Sequence, residues 1–392
     1  MGVRPVPGRK RLVVGVTVGM SADLLLRGQL AWFRERGWDV TLISTPDDQA
    51  QRAATREGVE LLGIPMARGI SPLSDLTGLV AWVRALRRLR PDAVNVGTPK
   101  AALLGSIAAW LTRVPRRLYT VRGLRLEGSS GPLSRVLWLM EWVTMRAATD
   151  VLFVSASLAE EAVRRRLPIA GKKRLIGQGS SNGVDAAAVQ TRVSQVDRDA
   201  LRAELGLSDE DFVVGFVGRI NPDKGTDVIA RASRSAELDP RVKFLMIGSL
   251  ESPELRAGLA SPDSRLRHVE WTDDVWGHLA AMDALCLPTL REGFPNVVLE
   301  AAAAGLPVVT TTATGAVDSV VDGETGFLIP VGDDAALVAR LNTLADQPDL
   351  AASMGAAGRQ RVLEHFGQEQ IWRGIEHILT GHTTHDTKGV IT

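Results

Sequence analysis

Short apolar runs alternate with amphipathic helical stretches along almost the whole chain. In the first half, apolar runs predict strands at 12–17, 39–44, 93–96, 117–121 and 150–155. Helical periodicity there predicts helices at 24–36, 79–89, 101–111 and 133–146. A second series of strands is predicted at 212–217, 243–247, 267–271, 284–287, 308–311 and 326–330. Because strands that alternate with helices form parallel sheets, the sequence predicts an α/β fold with two doubly wound, Rossmann-like domains.

The two series of elements are separated by a polar, alanine-rich stretch at 185–208 that has no strand pattern. A chain of 392 residues is also too long for one ordinary core. We therefore expect an N-terminal domain at 1–186 and a C-terminal domain at 187–366. We further expect a helix at 367–380 that crosses back to the first domain, and a disordered tail at 381–392.

Charge is distributed unevenly along the chain. Residues 1–190 contain 28 Lys and Arg against 15 Asp and Glu, and the remainder contains 18 against 30. A basic half can attract nucleic acid, anionic lipid or an anionic small molecule. Since the sequence has no helix-turn-helix, zinc-finger or RNP-like pattern, nucleic acid is the least favoured of these partners.

Cysteine content and hydropathy predict the compartment. The single cysteine, Cys286, excludes a disulfide framework and a thiolate metal cluster, which indicates a reducing compartment. The longest uncharged apolar stretch, 101–112, is too short to span a bilayer. We expect a cytoplasmic protein.

The segment 284–309 carries the clearest candidate chemistry. Its pattern predicts a strand, a loop broken by glycine and proline, and a helix, with Glu292 in the loop and Glu300 about one turn into the helix. The free N–H groups of the first helical turn form an anion site between two carboxylates that can accept hydroxyl hydrogen bonds. This combination suits a nucleotide-sugar. For the glutamate pair alone, a βα unit with two solvated glutamates is an equal alternative.

Two motifs resemble a known enzyme family. Glu292–Glu300 (EGFPNVVLE) resembles the donor-site motif of the retaining GT-B glycosyltransferases of family 4, and 217–225 (VGRINPDKG) resembles their phosphate-binding loop. The segments 97–105 and 25–30 resemble a subgroup that builds bacterial capsule, O-antigen and lipid-linked oligosaccharides. The resemblance implies two Rossmann-like domains that face each other across a cleft, the first for the acceptor and the second for the donor.

The resemblance also implies roles for individual residues. Arg219 and Lys224 would stabilise the departing diphosphate, Glu292 would bind the sugar hydroxyls, and these three residues would be catalytic. Glu300 would bind the ribose hydroxyls. The whole implied donor site comprises Gly19, Gly218, Arg219, Lys224, Trp271, Thr272, Glu292, Gly293, Phe294, Pro295, Asn296, Val297 and Glu300. The glycines of the later matching segments, 312–318 and 321–326, resemble turn positions and have structural roles.

The acceptor site is predicted in the basic first half. Arg122 stands where many family members have the histidine of a His-Gly pair, and an arginine can bind a phosphate bidentately but cannot act as a base. We expect Arg27, Lys100 and Arg122 to contact an anionic acceptor. For each of them, an exposed surface cation without a ligand is an equal alternative.

The implied mechanism is retention by front-face attack, in which the departing diphosphate takes the acceptor proton. No metal or cofactor is then required, and the nucleotide-sugar, by family frequency a UDP-sugar, is a co-substrate. The implied acceptor is a lipid-linked saccharide or a polyprenyl diphosphate. Basic residues near Trp110, Trp138 and Trp142 suit peripheral attachment to the inner face of the plasma membrane, although tryptophans at this spacing more often belong to a core.

Two other functions stay open from the sequence. A nucleotide-sugar epimerase or hydrolase of the same fold would use water as its sole acceptor. A non-catalytic nucleotide-sugar-binding protein would lack turnover, and the presence of Arg219, Lys224, Glu292 and Glu300 argues against it.

Overall fold

The computed structural model describes residues 8–67, 69, 71–252, 255–256 and 264–381. Beyond Gly381, the tail predicted to be disordered lies outside the described residues. The chain forms two compact units. The first contains the residues up to Asn182 and those from Gln368 onward, and the second is Gly183–Gly367. The division thus falls four residues before the boundary expected after residue 186.

The first unit contains a seven-stranded parallel sheet with the strand order β3-β2-β1-β4-β5-β6-β7. Its strands are β1 Lys10–Gly15, β2 Trp38–Ser44, β3 Glu60–Gly63, β4 Ala93–Gly97, β5 Arg116–Val121, β6 Asp150–Phe153 and β7 Lys173–Leu175. Its helices are α1 Gly19–Leu25, α2 Gln29–Glu35, α3 Asp48–Glu57, α4 Pro72–Leu89, α5 Pro99–Leu111, α6 Gly131–Ala147, α7 Ala156–Arg164 and, from the end of the chain, Gln368–Thr380.

The second unit contains a six-stranded parallel sheet with the order β10-β9-β8-β11-β12-β13. Its strands are β8 Phe212–Val217, β9 Val242–Ile247, β10 Leu266–Val269, β11 Ala284–Leu287, β12 Val308–Thr311 and β13 Gly326–Ile329. Its helices are α8 Ala186–Ser194, α9 Arg198–Glu204, α10 Thr226–Ala232, α11 Val275–Leu279, α12 Asn296–Ala303, α13 Asp334–Asp346 and α14 Pro348–His365; the helix at the end of the chain, Gln368–Thr380, is α15.

Both sheets follow the predicted doubly wound pattern. Their central strands are apolar and largely buried, as expected for parallel strands covered on both faces, whereas the edge strands β3, β7 and β10 are partly exposed. The strand order reverses between β1 and β4 in the first sheet and between β8 and β11 in the second. In open α/β sheets, ligands bind beyond the carboxyl ends of the strands at such reversals. The fold therefore places one candidate site on each unit.

The helix predicted at 24–36 is wrong, because the structure has two helices there, α1 and α2. Gly28 separates them with a left-handed φ of 78°. The buried Glu57 carboxylate accepts the Gly28 and Ala31 N–H groups at 3.0 and 3.2 Å, and a side chain at Gly28 would meet the Trp372 ring at 2.8 Å. The position of the break therefore depends on contacts with residues far along the chain, which the helical periodicity of 24–36 cannot predict.

The stretch 185–208, which separates the two predicted series of strands, is helical. It forms α8 and α9, whose first turns are capped by Asp185 and Asp197 through N–H···O bonds of 3.0 Å. Arg202 of α9 is buried and donates to the Asp283 carboxylate at 2.6 Å. Both helices belong to the second unit. The helix α3 and the short strands β3 and β7 were also absent from the sequence prediction.

Helix α15 packs on the first unit. Its buried residues Ile371, Ile375 and Ile378 belong to the core that contains β1 and β2. The Trp372 indole donates a 2.7 Å hydrogen bond to the side chain of Asn182, and this bond joins α15 to the last residue of the first segment of this unit. No helix among the described residues is long and apolar enough to cross a membrane.

Candidate active site

An ion pair lies at the carboxyl edge of the second sheet. Lys224, in a short 3-10 turn after β8, donates from Nζ to the Glu292 carboxylate in the loop after β11. The two side chains are 24% and 13% exposed. The sequence placed both residues at one edge of the sheet, and the structure brings them into direct contact.

The loops after β8 and β11 are joined by their backbones. The Leu290 N–H donates to the Asp223 carbonyl at 3.1 Å, and the Arg291 guanidinium donates to the Asp223 carboxylate at 2.9 Å. Gly225 has a φ of 69°, and a Cβ there would lie 1.7 Å from the Pro288 carbonyl oxygen. Only glycine permits this approach. These contacts hold Lys224 beside Glu292.

The loop after β12 supports Glu292 from its other side. The Glu292 N–H donates to the Thr314 carbonyl at 2.8 Å. Gly315 has a φ of 76°, and a Cβ there would lie 2.4 Å from the Glu292 and Gly293 carbonyl oxygens. Gly323 and Gly326 also have positive φ values, of 76° and 155°. Gly315 and Gly323 therefore lie in turns, as predicted, whereas Gly326 is the first residue of β13.

Helix α12 begins directly after this loop. Pro295 precedes it, and no side chain caps its first turn, so N–H groups there are open to a ligand. The Asn296 side-chain oxygen is buried and has no hydrogen-bond partner among the described residues. Phe294 is 6% exposed and packs on Phe366, with ring centroids 5.4 Å apart. An uncapped helix end beside an ammonium group suits an anion such as a diphosphate.

Other predicted donor residues follow neighbouring strands of the same sheet. Gly218 follows β8 with a φ of 145°, and Arg219 after it is exposed without an ion pair in the described part of the chain. Trp271 follows β10 and is 54% exposed, and the Thr272 hydroxyl accepts the Asp274 N–H at 3.1 Å. Val297 and Glu300, on the first turns of α12, are half-buried.

Gly19, predicted as a donor contact, lies in the first unit. Its N–H donates to the Asp47 carboxylate at 3.1 Å, and a Cβ there would lie 1.9 Å from that carboxylate and 2.2 Å from the Ala50 nitrogen. The space beside this glycine is therefore already occupied by Asp47 and Ala50 of the protein. A donor contact of Gly19 stays a prediction.

The three predicted acceptor residues have different surroundings. Lys100 is only 4% exposed and donates to both Asp75 carboxylate oxygens at 2.7 and 2.6 Å, so it is not an exposed surface cation. Arg27 is exposed in the loop between α1 and α2. Arg122 is half-buried and donates to the Ser181 hydroxyl at 2.8 Å. Burial lowers the pKa of Arg122 to about 10, and its Nη2 has no partner within the described ranges.

Sequence reasoning missed one polar pair in the first unit. Glu141 of α6 is 6% exposed and accepts a 2.9 Å hydrogen bond from the Tyr119 hydroxyl of β5. Burial raises the pKa of Glu141 to about 7 and also raises that of Tyr119. A signal was present, since Glu141 is the one charged residue in the otherwise apolar run at 136–145.

Comparisons with known proteins agree with this geometry. A family model described as glycosyl transferases group 1 matches residues 197–361, and a glycosyl transferase 4-like domain model matches residues 25–175. The capsular polysaccharide biosynthesis glycosyltransferase CapM of Staphylococcus aureus is 37% identical over 367 residues, which are 92% of this chain and 94% of the relative. The chain belongs to the family 4-like glycosyltransferases. The resemblance found in the two sequence motifs is thereby confirmed, and the protein is a glycosyltransferase of polysaccharide biosynthesis.

Further similarities cover most of this glycosyltransferase. A UDP-Gal:alpha-D-GlcNAc-diphosphoundecaprenol alpha-1,3-galactosyltransferase of Escherichia coli is 28% identical over 290 residues, 72% of this chain and 73% of the relative. The structure of Anabaena HepE in complex with UDP-glucose has a TM-score of 0.78 at 21% identity, covering 95% of this chain and 100% of that chain. That of WaaG, a glycosyltransferase involved in lipopolysaccharide biosynthesis, has a TM-score of 0.69 at 18% identity, covering 95% and 100%. The predicted GT-B fold is confirmed.

Proposed function

We propose that this glycosyltransferase moves a sugar from a UDP-sugar to a lipid-linked saccharide or polyprenyl diphosphate, with retention of anomeric configuration. The observation that carries the proposal is the contact between Lys224 and Glu292 beside the uncapped start of α12. A cation, a carboxylate and open backbone N–H groups lie together at the carboxyl edge of the second sheet. A nucleotide-sugar presents a diphosphate and hydroxyl groups, which these partners complement.

The charges suit departure of a nucleoside diphosphate. Negative charge develops on the leaving phosphate, and preorganised cations near it stabilise the transition state. Lys224 would supply one charge, and Arg219, exposed and without an ion pair among the described residues, would supply a second. Glu292 holds Lys224 before the donor arrives and would then accept hydrogen bonds from the sugar. The complexes of HepE with UDP and UDP-glucose support UDP as the carrier.

The stereochemistry and the absence of a metal requirement follow from the same assignment. With the diphosphate neutralised by Lys224 and Arg219, its own oxygen can take the proton of the attacking hydroxyl on the face from which it leaves. No separate protein base and no divalent cation enter this step. We therefore expect activity in the presence of excess EDTA, and a product with the anomeric configuration of the donor.

The acceptor assignment rests on relatives and on the surface of the first unit. The E. coli relative acts on a diphosphoundecaprenol-linked sugar. Helices α4 and α6 expose leucines, with Leu73 83% and Leu139 55% exposed, and Trp110 of α5 is 57% exposed. Trp138 is half-buried and donates its indole N–H to the Arg165 carbonyl, so it supports the fold. These exposed apolar residues and the basic charge of the first half favour peripheral attachment at the cytoplasmic face of the membrane.

A donor panel tests the proposal. Thermal shift and release of free nucleotide are measured with UDP-, GDP-, ADP- and dTDP-sugars for the wild type, Lys224→Ala and Glu292→Gln. We expect one UDP-sugar to stabilise the wild type and to be slowly cleaved, and Lys224→Ala to abolish both effects. Glu292→Gln should keep binding of UDP, because it removes a negative charge near the diphosphate, but it should lose cleavage.

Matched control variants test whether any loss of a lysine charge or a glutamate charge gives the same result. Lys173→Ala and Glu60→Gln change exposed residues of the first unit and should leave all readings unchanged. If no nucleotide-sugar binds at millimolar concentration, the donor assignment is wrong. A changed sugar in the product, with water as the sole acceptor, would instead identify an epimerase.

A further inference from the structure

Arg122 stands where the strand order of the first sheet reverses. It is the first residue after β5, and its guanidinium lies over Gly97, the last residue of the neighbouring strand β4. A Cβ at Gly97 would lie 1.7 Å from Arg122 Nη1, so glycine leaves the room that the guanidinium occupies. The order reverses between β1 and β4. In open α/β sheets, ligands bind beyond the carboxyl ends of the strands at this point.

The guanidinium of Arg122 is only partly bound by the protein. Its Nε donates to the Ser181 hydroxyl at 2.8 Å, and this bond fixes one edge of the group. Nη2 is buried and has no hydrogen-bond partner among the described residues. The described residues offer Nη1 no hydrogen bond and no ion pair either. Since an arginine carries donors on all three of its nitrogens, most of the hydrogen-bonding capacity of Arg122 is unused.

The charge of Arg122 has no counter-ion in the described part of the chain. The ionisable group that acts on it is the Tyr119 hydroxyl. Burial raises the pKa of Tyr119, so this hydroxyl is neutral, and it donates to Glu141. Burial lowers the pKa of Arg122 to about 10, which leaves the guanidinium charged at neutral pH. Because an uncompensated charge away from water is unfavourable, the position suits an anion that arrives from solution.

The unused atoms suit an oxyanion. Nη1 and Nη2 form one edge of the planar guanidinium, and this edge matches two oxygens of a phosphate or a carboxylate. The Ser181 hydroxyl accepts from Nε, so its own proton can be donated to the same anion. The proposed acceptor contains a suitable group, since a diphosphate joins its polyprenyl chain to its sugar.

Arg122 differs from the other two predicted acceptor residues. The charge of Lys100 is compensated by Asp75, at 2.6 Å. Arg27 is exposed in a loop, where water weakens its attraction for an anion. Arg122 alone among the three combines a fixed guanidinium with a charge that no described residue compensates.

We propose that Arg122 binds a phosphate of the acceptor's diphosphate through Nη1 and Nη2, with Ser181 holding the guanidinium in place and Gly97 giving it room. The inference rests on the proposed function, and it assigns the anionic part of the lipid-linked acceptor to one residue of the first unit. Arg122 would thereby select against neutral lipid glycosides, which offer the guanidinium no counter-ion.

Calorimetric titration with geranyl diphosphate, a short polyprenyl diphosphate, tests the proposal. The full-length protein carries Lys224→Ala, so that the donor site of the second unit contributes little to the binding of this probe. Adding Arg122→Met should lower the affinity by about 30-fold. Arg122→Lys keeps the charge but loses the paired N–H donors, so it should lower the affinity by about tenfold. Arg88→Met, a change at an exposed arginine of α4, should leave the affinity unchanged.

Gly97→Ala tests the geometry without removing a charge. Gly97 does not have a left-handed φ, so its backbone accepts alanine, but the new Cβ would displace Nη1. We expect the affinity for geranyl diphosphate to fall by about tenfold.

The Tm of the ligand-free protein separates binding from a structural role. Arg122→Met removes an uncompensated charge, so it should leave the Tm unchanged or raise it. If Arg122→Met lowers the Tm and keeps the affinity for geranyl diphosphate, Arg122 serves the fold and the inference is wrong.

Two further probes identify the anion. Inorganic pyrophosphate should show the same dependence on Arg122, because the phosphate carries the contact. Glucuronate, a sugar carboxylate, should bind more weakly than either diphosphate. If glucuronate binds more tightly than both, the site is built for a carboxylate and the inference is wrong.

UDP binding distinguishes this inference from the proposed function. In protein with Lys224 intact, Arg122→Met should leave the affinity for UDP unchanged, and a loss of UDP binding would assign Arg122 to the donor and overturn the inference. If UDP does not bind the wild type but geranyl diphosphate binds through Arg122, the donor assignment fails and the anion site stands.

Discussion

The two units hold their charged groups in different ways. At the carboxyl edge of the second sheet, Lys224 and Glu292 stand on loops with 24% and 13% of their side chains exposed. In the first unit, Lys100 is 4% exposed and pairs with Asp75, and Glu141 is 6% exposed and accepts a hydrogen bond from Tyr119. A pair that water still reaches can exchange one partner for a ligand, whereas a buried pair loses much more when one member is removed.

This difference fits the two proposed substrates. The donor diphosphate must bind, gain charge and leave in every cycle, which suits a cation whose resting partner is easily replaced. The acceptor does not gain charge as a leaving group, which suits buried groups in fixed positions. Lysine and glutamate would therefore act in catalysis in the second unit and in the fixed surroundings of the acceptor's binding site in the first.

Replacing the two lysines separately gives the largest expected effects. Lys224→Met should lower the transfer rate by about 10³-fold, because a preorganised charge near the leaving group is lost, and it should change the free energy of unfolding by less than about 1 kcal/mol. Lys100→Met leaves Asp75 partly buried and unpaired, so it should destabilise the protein by about 3 kcal/mol. Single-turnover kinetics and calorimetric unfolding measure the two effects. Equal destabilisation by both substitutions would remove the contrast between the units.

The buried Glu141 should make stability depend on pH. Its pKa is raised from 4.5 to about 7 in the folded protein, so its contribution is fully present below pH 4.5 and is lost as the pH rises through 7. The loss above pH 7 corresponds to about 3 kcal/mol. Glu141→Gln should therefore become more stable relative to the wild type as the pH rises, which denaturant unfolding at pH 5 and pH 8 can measure. A difference that is constant with pH would contradict a raised pKa.

Two glycine substitutions test how tightly the second-unit loops are joined. Gly225 and Gly323 have φ values of 69° and 76°, so alanine is strained at both. At Gly225 the new Cβ would also lie 1.7 Å from the Pro288 carbonyl oxygen, whereas at Gly323 it would meet open space. We expect Gly323→Ala to cost about 1 kcal/mol and Gly225→Ala about 2 kcal/mol more, measured by thermal unfolding. Similar costs would mean that the loops after β8 and β11 can separate.

The smallest effect is expected at the contact that aligns these loops. Arg291→Ala removes the 2.9 Å hydrogen bond to Asp223 but leaves Lys224 and Glu292 in place. The loss of alignment should lower the transfer rate by about tenfold. Arg291→Lys should recover part of that loss. An unchanged rate in Arg291→Ala would show that the backbone bond from Leu290 to Asp223 is sufficient.

The sequence predicted the strands of the second unit better than those of the first, for physical reasons. Strands β8 and β11 are uninterrupted apolar runs and β12 consists of β-branched residues, and their bounds at 212–217, 284–287 and 308–311 agree with the structure. The donor residues follow these strands at short range, so their edge of the sheet could be inferred from order along the chain. The contact between Lys224 and Glu292 needed the fold, because it joins loops 68 residues apart in sequence.

The first unit shows what local patterns do not contain. The break at Gly28 depends on the Glu57 carboxylate and on the Trp372 ring near the end of the chain. The partners Asp75 and Lys100 are 25 residues apart and lie on different helices, as a result of which Lys100 resembles a surface cation in the sequence. Long-range packing of this kind has no periodic signal.

The most direct test of the account is amide hydrogen exchange with and without saturating UDP. The account predicts slower exchange at 218–225 and 292–297, where the turn with Lys224 and the open start of α12 would meet the diphosphate. Exchange at 137–144, on α6 of the first unit, should not change with UDP alone. Protection at 137–144 with none at 292–297 would contradict the assignment of donor and acceptor to the two units.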